Sequence, residues 1–475
     1  MPSQVNVSRG RPGLIRSILG AAAVCGVAAG ALQGVAQADE LRGIRAFVSV
    51  DQRFEFADNR SLSDPADGTS ARSLTSIGLR IQSETRLEQF LFDTGTTLSL
   101  GRDPGVTNRS RFSDPRLRLS YTREGADSLF SASGNIRRSR VDFTRPLTDF
   151  LDEEGELVLP EDFEDLIGTG RRLTYNAETR LEFGREAAPF GLAMRAGVSG
   201  IDYSAPTLAD VRRHNIGATA RMRVSPVTDL TVSADHSRFR REDIADTDRR
   251  TNALSFGVTH DLDPVTQISG AIGYTRISTR EFGFTTRSSG TTGQLGLARI
   301  LPDGVVSARA QQARSPDGGS RANLVLAREW ERPTGALAGS VGATRSPGGD
   351  VNLIGSLDLR RDTPDGVVVA GLQRSVSVDA DDNERLRTTI NLRYTHEVNA
   401  LSRFTLRAAH AHSAGTPTAT RVSRTDLSAT YSRDLTRDWS LNTGVSYRLR
   451  STGAGARATS PVVFVGLGST FAFGL

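Results

Sequence analysis

Apolar and polar residues alternate with a period of two along this chain, and the C-terminal stretch shows the pattern most clearly. In residues 460–475, SPVVFVGLGSTFAFGL, one parity from position 463 holds Val, Val, Leu, Ser, Phe, Phe and Leu, while the other is small and mixed. A strand with this pattern has one continuous apolar face, and its length suits a membrane-spanning β-strand, which takes about 9 to 11 residues. We expect this strand to close a barrel against the first strand of the chain.

Similar alternating segments recur throughout, and the connections between them are alternately short and long. Most of the short ones contain Pro or Asp, as in SPVTDL at 225–230 and PDG at 302–304, whereas the long ones are rich in Arg, Asp and Ser. A soluble β-sandwich gives no reason to sort its connections by length. The sequence therefore predicts an all-β fold, a transmembrane antiparallel up-and-down β-barrel of about 22 strands with short periplasmic turns and longer extracellular loops.

Tyrosine and tryptophan side chains fall on the outward parity, near the ends of the predicted strands. Amphipathic rings at both edges of an apolar band form the interfacial girdles of a membrane barrel. The sequence predicts a membrane-interface girdle made of Tyr121, Tyr274, Trp330, Tyr394, Tyr431, Trp439 and Tyr447.

The inward parity is polar and rich in arginine. An Arg facing lipid near the bilayer midplane would cost about 2 to 4 kcal/mol, so these side chains must face water or one another. We therefore predict that the lumen is lined by Arg80, Arg180, Arg195, Arg221, Arg223, Arg393 and Arg407.

The longest connection, residues 141–170, is acidic but also carries large apolar side chains such as Leu147, Phe150 and Phe163. One interpretation is a loop that folds into the lumen as a constriction and turns its carboxylates toward the inward arginines. The other is a surface loop with a small hydrophobic patch or a cation-binding fringe; both stay open, because long loops are either functional or disordered. The candidate constriction residues are Asp152, Glu153, Glu154, Glu161 and Asp162.

The N-terminal 38 residues have the pattern of a signal peptide. Arg9, Arg11 and Arg16 precede an apolar stretch at 18–35, and Ala36 and Ala38 match an A-x-A cleavage site. We expect residues 1–38 to be removed and residues 39–475 to form the barrel. Only about five residues then precede the first predicted strand, so we expect no N-terminal plug domain.

The amino-acid composition limits the kinds of site and partner that the mature chain can have. The sole cysteine, Cys25, lies in the predicted signal peptide, so the mature chain offers neither disulfides nor thiolate metal sites. Loss of three leader arginines leaves 56 of the 59 basic residues against 54 acidic ones, a balance that argues against nucleic-acid binding. All basic residues are arginine.

Candidate catalytic and metal-binding patterns are weak. His410 and His412 have a spacing compatible with shared metal ligation, but no third ligand is evident and their parity is that of the lipid face. No G-x-S-x-G elbow or phosphate-cradling glycine loop occurs. We expect no enzyme activity, no metal site and no cofactor.

The whole mature chain resembles the bacterial outer-membrane β-barrels. Its ARATSPVVFVGL ending and its SPVTDL turn are similar to the β-barrel porin families of Gram-negative bacteria. The resemblance implies an outer-membrane location, contact with outer-membrane lipid and recognition by the barrel-assembly machinery through a C-terminal signal, here Phe471, Phe473 and Leu475. The families favour a final aromatic residue, whereas Phe473 is followed by Gly474 and Leu475.

For function, we expect a porin-like channel for passive diffusion of small polar or charged solutes through an arginine-rich lumen. One alternative is an outer-membrane component of surface-polysaccharide export that works with a periplasmic partner. Another is a structural or adhesive barrel without channel activity.

Overall fold

The computed structural model describes residues 43–102, 104, 111–140, 146–150, 157, 159, 163, 170–184, 188–206, 208–315, 319–378, 384–415, 421–453 and 455–474. These residues form one closed sheet in which each strand pairs antiparallel with the next. The predicted signal peptide lies outside the described residues, as do Leu475 of the assembly signal and all five candidate constriction carboxylates.

The sheet has 22 strands, numbered in chain order. The first eleven are β1 Ile44–Asp58, β2 Thr69–Glu84, β3 Glu88–Arg102, β4 Arg111–Glu124, β5 Ser128–Arg140, β6 Arg171–Phe183, β7 Phe190–Tyr203, β8 Val211–Ser225, β9 Thr228–Arg241, β10 Thr247–Asp263 and β11 Thr266–Glu281. The others are β12 Phe284–Leu301, β13 Gly304–Arg314, β14 Ser320–Arg332, β15 Gly335–Arg345, β16 Val351–Thr363, β17 Gly366–Val378, β18 Glu384–Asn399, β19 Ser402–Ala414, β20 Val422–Asp434, β21 Trp439–Thr452 and β22 Arg457–Gly474. A single turn of 3-10 helix, Leu147–Phe150, lies between β5 and β6.

The barrel is closed by pairing of the last strand with the first. In this seam Phe473 lies opposite Ala46 and Phe471 lies opposite Val48, and the register continues to Val462 opposite Ala57. Closure pairs the outer edges of the first and last strands with each other, as a membrane barrel requires. The predicted fold, including the strand count and the seam between the first and last strands, is confirmed.

Short and long connections alternate as predicted along much of the chain, and the clearest departure is on the extracellular side. The link between β11 and β12 should be a long extracellular loop, but it consists of Phe282 and Gly283 alone. Both residues have positive φ, 49° and 81°, as a tight two-residue hairpin turn requires. The strands continue upward here instead of ending in a loop, and β12 has 18 residues.

Side chains alternate between the two faces of the sheet. Large apolar residues such as Phe256, Ile272 and Leu295 are on the outer face and are exposed. Their sequence neighbours face the lumen and are polar or small, because a strand in a barrel needs an apolar face only toward lipid. No helix among the described residues is long and apolar enough to cross a membrane.

Candidate transport lumen

The lumen has two dissimilar walls in its extracellular half. On β18 to β22 and β1, the inward side chains are buried; we call this surface the covered wall. It includes Arg385, Arg387, Ala409, Ala411, Ser413, Val422, Arg424, Asp426, Arg448, Ala458, Ser460, Val462, Phe464 and Glu55. On β2 to β9, by contrast, several inward side chains are exposed, among them Arg80, Arg180 and Arg195. We call the inward surface of β2 to β9 the open wall. A buried lumen wall needs something that covers it, since no lipid reaches this face.

The long β5–β6 connection provides that cover. Leu147, Leu157 and Phe163, which lie in this connection, form a buried apolar cluster with inward residues of the covered wall. The other members are Leu62 from the β1–β2 loop and Ala409, Ala411, Val422 and Ala458, with Phe150 and Leu159 packed against them. Because Ala and Val leave room on the wall, the larger side chains of the connection fit against it. We call the described residues of this connection, 146–150, 157, 159 and 163, the docked segment.

A buried carboxylate fixes the start of the docked segment. Asp426 Oδ2 accepts a hydrogen bond from the backbone N–H of Leu147 at 2.5 Å. The same carboxylate accepts two hydrogen bonds from Arg424, whose Nε and Nη2 lie 3.0 and 2.9 Å from its oxygens. Arg424 is 1% exposed, so its charge is separated from water and is balanced by Asp426. The first helical turn of the segment thus places an N–H donor against a negative charge.

A second charged group lies next to the seam on the covered wall. Glu55 is buried and forms ion pairs with Arg53 at 3.3 Å and with Arg60 at 3.2 Å. The Arg53 guanidinium also lies 3.7 Å from the ring centroid of Phe464, in cation–π geometry. Arg60 belongs to the β1–β2 loop, so this ion pair holds the loop against the wall on which the docked segment lies.

The open wall, on β2 to β9, carries exposed ion pairs. Asp93 lies between two arginines, with Arg80 Nε 3.0 Å and Arg116 Nε 3.7 Å from its oxygens. Arg195 on β7 reaches across β8 to Asp235 on β9, at 2.5 Å. The strand between them presents Gly217, where a Cβ atom would lie 2.4 Å from Asp235 Oδ1 and 2.8 Å from Arg195 Nε. The ion pair therefore depends on a glycine.

The remaining predicted lumen arginines also lie on the inward face. Arg180 pairs with Glu182, and Arg221 and Arg223 both lie near Asp229, at 3.6 and 3.1 Å. Arg393 and Arg407 are directly opposite each other on β18 and β19. Among the described residues neither of these two has an ion-pair partner. The structure thus brings the predicted arginines into one lumen but distributes them over several strands.

The predicted girdle residues all lie on the outward face. Tyr121 is 6.1 Å from Phe130 between ring centroids, and the Tyr431 hydroxyl donates to Ser402 Oγ at 3.1 Å. Tyr394 stacks on His396, and Arg328 lies over the Trp330 ring. Tyr274, Trp439 and Tyr447 are exposed. Phe471 and Phe473 lie at the end of β22 in the seam.

Metal chemistry has no support in the described part of the chain, where no cluster of three or more potential ligands occurs. His410 and His412 lie on the outward face of β19, and His410 Nδ1 is 2.9 Å from Thr425 Oγ1. Sequence reasoning missed Asp93, Asp235, Arg424 and the anchoring role of Asp426. Their importance depends on partners in other strands, which periodicity does not specify.

No protein-family model and no curated protein sequence matches the chain. Solved structures match it in fold. The FrpB iron transporter from Neisseria meningitidis (F3-3 variant) has 13% identity and a TM-score of 0.55, over 90% of this chain and 81% of its own. A mutant of the ferric enterobactin receptor PfeA from Pseudomonas aeruginosa has 8% identity and a TM-score of 0.55 over 92% of this chain and 81% of its own. The siderophore receptor PirA from Acinetobacter baumannii gives the same four values.

At identities this low, the similarity to these structures concerns the fold alone. The chain has the closed 22-stranded barrel, and its apolar outer face is that of a membrane-spanning barrel. The predicted class, a bacterial outer-membrane β-barrel protein, is confirmed, and with it the predicted location in the outer membrane.

Proposed function

We propose that this barrel is an outer-membrane channel for small polar or charged solutes, narrowed on its extracellular side by the docked segment. The observation that carries the proposal is the exposure of charged side chains inside the barrel. The side chains of Arg80, Arg116, Arg180 and Arg195 are 56%, 56%, 58% and 59% exposed, although all four face the lumen. Water that reaches these groups provides a polar path along the open wall.

In such a channel the covered wall and the open wall have different roles. The docked segment and the β1–β2 loop reduce the cross-section near the covered wall, as plugs do in barrels of about this strand number. On the open wall, alternating arginines and carboxylates offer successive weak sites to ions, which permits entry without tight retention. Arg393 and Arg407 add two adjacent positive charges without an ion-pair partner among the described residues, so we expect the lumen to favour anions.

Planar-bilayer recording on the refolded protein tests this proposal. We expect discrete conductance steps and a reversal potential that indicates a preference for anions over cations in a salt gradient. Arg393→Gln combined with Arg407→Gln should shift the reversal potential toward cation preference, whereas Arg102→Gln, on the outer face of β3, should leave it unchanged. A correctly folded barrel that gives no conductance would refute the channel.

A second candidate is uptake of a ferric siderophore complex. It is favoured by the structural neighbours, which are named as an iron transporter, a ferric enterobactin receptor and a siderophore receptor. Equilibrium binding of ferric enterobactin to the refolded barrel tests it, with iron-free enterobactin as the control. Specific binding without conductance would favour this candidate over the channel. Polysaccharide export, an adhesive role and the absence of enzyme activity stay predictions.

A further inference from the structure

On β9 to β12, the outer face of the barrel changes from apolar to basic toward the extracellular end. The outward residues Ala234, Leu254 and Tyr274 lie side by side on β9, β10 and β11, at the extracellular limit of the apolar band. The three outward rows above them hold, from β9 to β12, His236, Asn252, Arg276 and Ser289, then Arg238, Arg250, Ser278 and Arg287, then Arg240, Asp248, Arg280 and Thr285. The strand register fixes these rows.

The basic groups in these rows outnumber the acidic ones. We define the basic exterior patch as Arg238, Arg240, Arg250, Arg276, Arg280 and Arg287. Asp248 receives two hydrogen bonds from Arg238 at 2.9 and 2.7 Å and lies 3.6 Å from Arg250. Asp246 pairs with Arg240 at 3.3 Å. Arg276, Arg280 and Arg287 have no ion-pair partner within the ranges that the structure describes.

Two arginines of the patch are close enough for their positive charges to repel each other. Arg238 and Arg250 are directly opposite each other on neighbouring strands. Like charges in this position destabilise a sheet, and only one carboxylate, that of Asp248, contacts both guanidinium groups. An anion bound between the strands would relieve this repulsion. Arginine is also the residue best suited to phosphate, because its planar guanidinium donates two parallel hydrogen bonds.

The height of the patch indicates where the anion comes from. Successive outward rows on a tilted strand differ in height by about 5 Å, so the first two basic rows lie within about 10 Å of the apolar band. This is the level of lipid headgroups. Just below, Leu254, Phe256 and Ile272 offer exposed apolar surface for acyl chains. A single lipid molecule can therefore contact both surfaces, which a soluble anion cannot do.

The patch concentrates positive charge on one side of the barrel. Near the seam, Phe54, Phe56 and Val463 are exposed apolar residues on the outward face, and Phe56 lies opposite Val463. Outward arginines occur singly elsewhere at the extracellular end, for example Arg102, Arg374 and Arg457, whereas β9 to β12 bring six of them together on four neighbouring strands. We propose that the basic exterior patch binds the phosphate groups of an anionic glycolipid in the outer leaflet.

The variants that test this site have matched charges. Arg250→Gln, Arg276→Gln and Arg287→Gln together remove three charges from the patch and leave the Arg238–Asp248 ion pair in place. The control combines Arg102→Gln, Arg374→Gln and Arg457→Gln, three exposed outward arginines in the extracellular half of β3, β17 and β22. Heat-modifiable migration on gels verifies that each variant is folded.

Binding is measured by titration of the folded, full-length barrel in neutral detergent micelles with phosphorylated lipid A, and with dephosphorylated lipid A. We expect the wild type and the control to prefer the phosphorylated lipid. The patch variant should bind it on the order of 100-fold more weakly, since each lost guanidinium removes the contribution of one basic residue at an anionic surface.

Three outcomes would overturn the proposal. The first is that the patch variant binds phosphorylated lipid A as tightly as the control does. The second is that the wild type binds dephosphorylated lipid A as tightly as phosphorylated lipid A. The third is that inorganic pyrophosphate binds to the wild type as tightly as the phosphorylated lipid does. The last result would indicate a site for soluble anions instead of lipid. None of these outcomes depends on conductance, so the lipid site and the proposed channel are tested separately.

Discussion

The backbone N–H of Leu147 donates a hydrogen bond to the carboxylate of Asp426, 2.5 Å away, although the two residues are 279 positions apart in sequence. This bond joins the helical turn Leu147–Phe150 to the lumen face of β20. Asp426 is also the partner of the buried Arg424. One carboxylate therefore both neutralises a buried cation and contacts the docked segment.

We expect Asp426→Asn to loosen the docked segment. The change removes the charge that strengthens the bond to Leu147, and a hydrogen bond to a charged group contributes about 1.5 to 3 kcal/mol. Hydrogen exchange at the amides of 147–150 should therefore accelerate by roughly 10-fold to 100-fold. Mass spectrometry of the peptides that cover these residues measures this rate.

The control for that experiment is Asp358→Asn, which removes an inward carboxylate from β16, away from the docked segment. It should leave exchange at 147–150 unchanged. Equal exchange rates in wild type and Asp426→Asn would mean that the bond to Asp426 does not hold the segment in place.

Arg195 and Asp235 should affect ion selectivity in opposite directions. Arg195→Gln leaves an unpaired carboxylate in the lumen and should shift the channel toward cations, while Asp235→Asn should shift it toward anions. A unit charge about 4 Å from an ion in water contributes about 1 kcal/mol, so the permeability ratio should change by at most about fivefold. Reversal potentials in a salt gradient measure both shifts.

Gly217→Ala serves as the charge-neutral comparison. Its Cβ would occupy the space between the two side chains and separate them without removing either charge. We expect a smaller shift in reversal potential than either single charge change gives. If Arg195→Gln and Asp235→Asn shift selectivity in the same direction, the permeating ions do not pass this ion pair.

Phe473→Asp should hinder barrel assembly more than it alters any pore property. Phe473 lies opposite Ala46 in the closing seam, on the outward face, where a charged substitution destabilises a membrane barrel. The folded protein recovered from membranes should decrease. Phe284→Asp, at the exposed β11–β12 turn, makes the same chemical change away from the seam and should assemble normally. Wild-type membrane levels of Phe473→Asp would contradict the role assigned to the seam.

Asp303 should make the periplasmic end of the barrel sensitive to acid. This residue lies in the turn between β12 and β13, and its hydrogen bond from Arg328 lowers the pKa of the carboxyl below its ordinary value of 3.8. The ionised form is therefore favoured in the folded state. Its stabilising contribution is complete above pH 3.8 and is lost as the pH falls through the lowered pKa.

Asp303→Asn should consequently unfold at a lower denaturant concentration than the wild type near neutral pH. The difference should shrink as the pH falls well below 3.8, where the wild-type carboxyl is also uncharged. Denaturant titrations across this pH range measure both midpoints. A difference that is independent of pH would show that the ion pair with Arg328 is not its cause.

Periodicity was sufficient to predict the barrel, because lipid imposes an apolar face on each spanning strand. It was least informative where that constraint ends. The upper part of β12, with Thr285, Arg287 and Ser289 on its outer face, continues above the apolar band and carries no alternating apolar signal. For this reason a long loop was expected where Phe282 and Gly283 form a tight turn.

Placement of the long β5–β6 connection needed tertiary information. Its apolar side chains allowed either a lumen constriction or a surface loop, and their partners on the wall are residues such as Ala409 and Ala411, which look unremarkable in sequence. The same holds for Arg195 and Asp235, which meet only because the intervening strand presents Gly217. Contacts between residues that are far apart in sequence produce no local sequence pattern from which they could be predicted.

The most direct test of the docked segment as a constriction is single-channel conductance after its removal. Residues 143–166 are replaced by a short Gly-Ser linker, and Phe163→Ala is recorded beside it as a variant of native length. Phe163 is 0% exposed, and such a truncation costs about 3 to 5 kcal/mol of packing. Phe112→Ala, where the ring is 71% exposed, is the control. We predict that both segment variants conduct at least about twice as much as the wild type, as expected for a wide barrel that loses its obstruction. Conductance equal to that of the wild type in both variants would contradict the constriction.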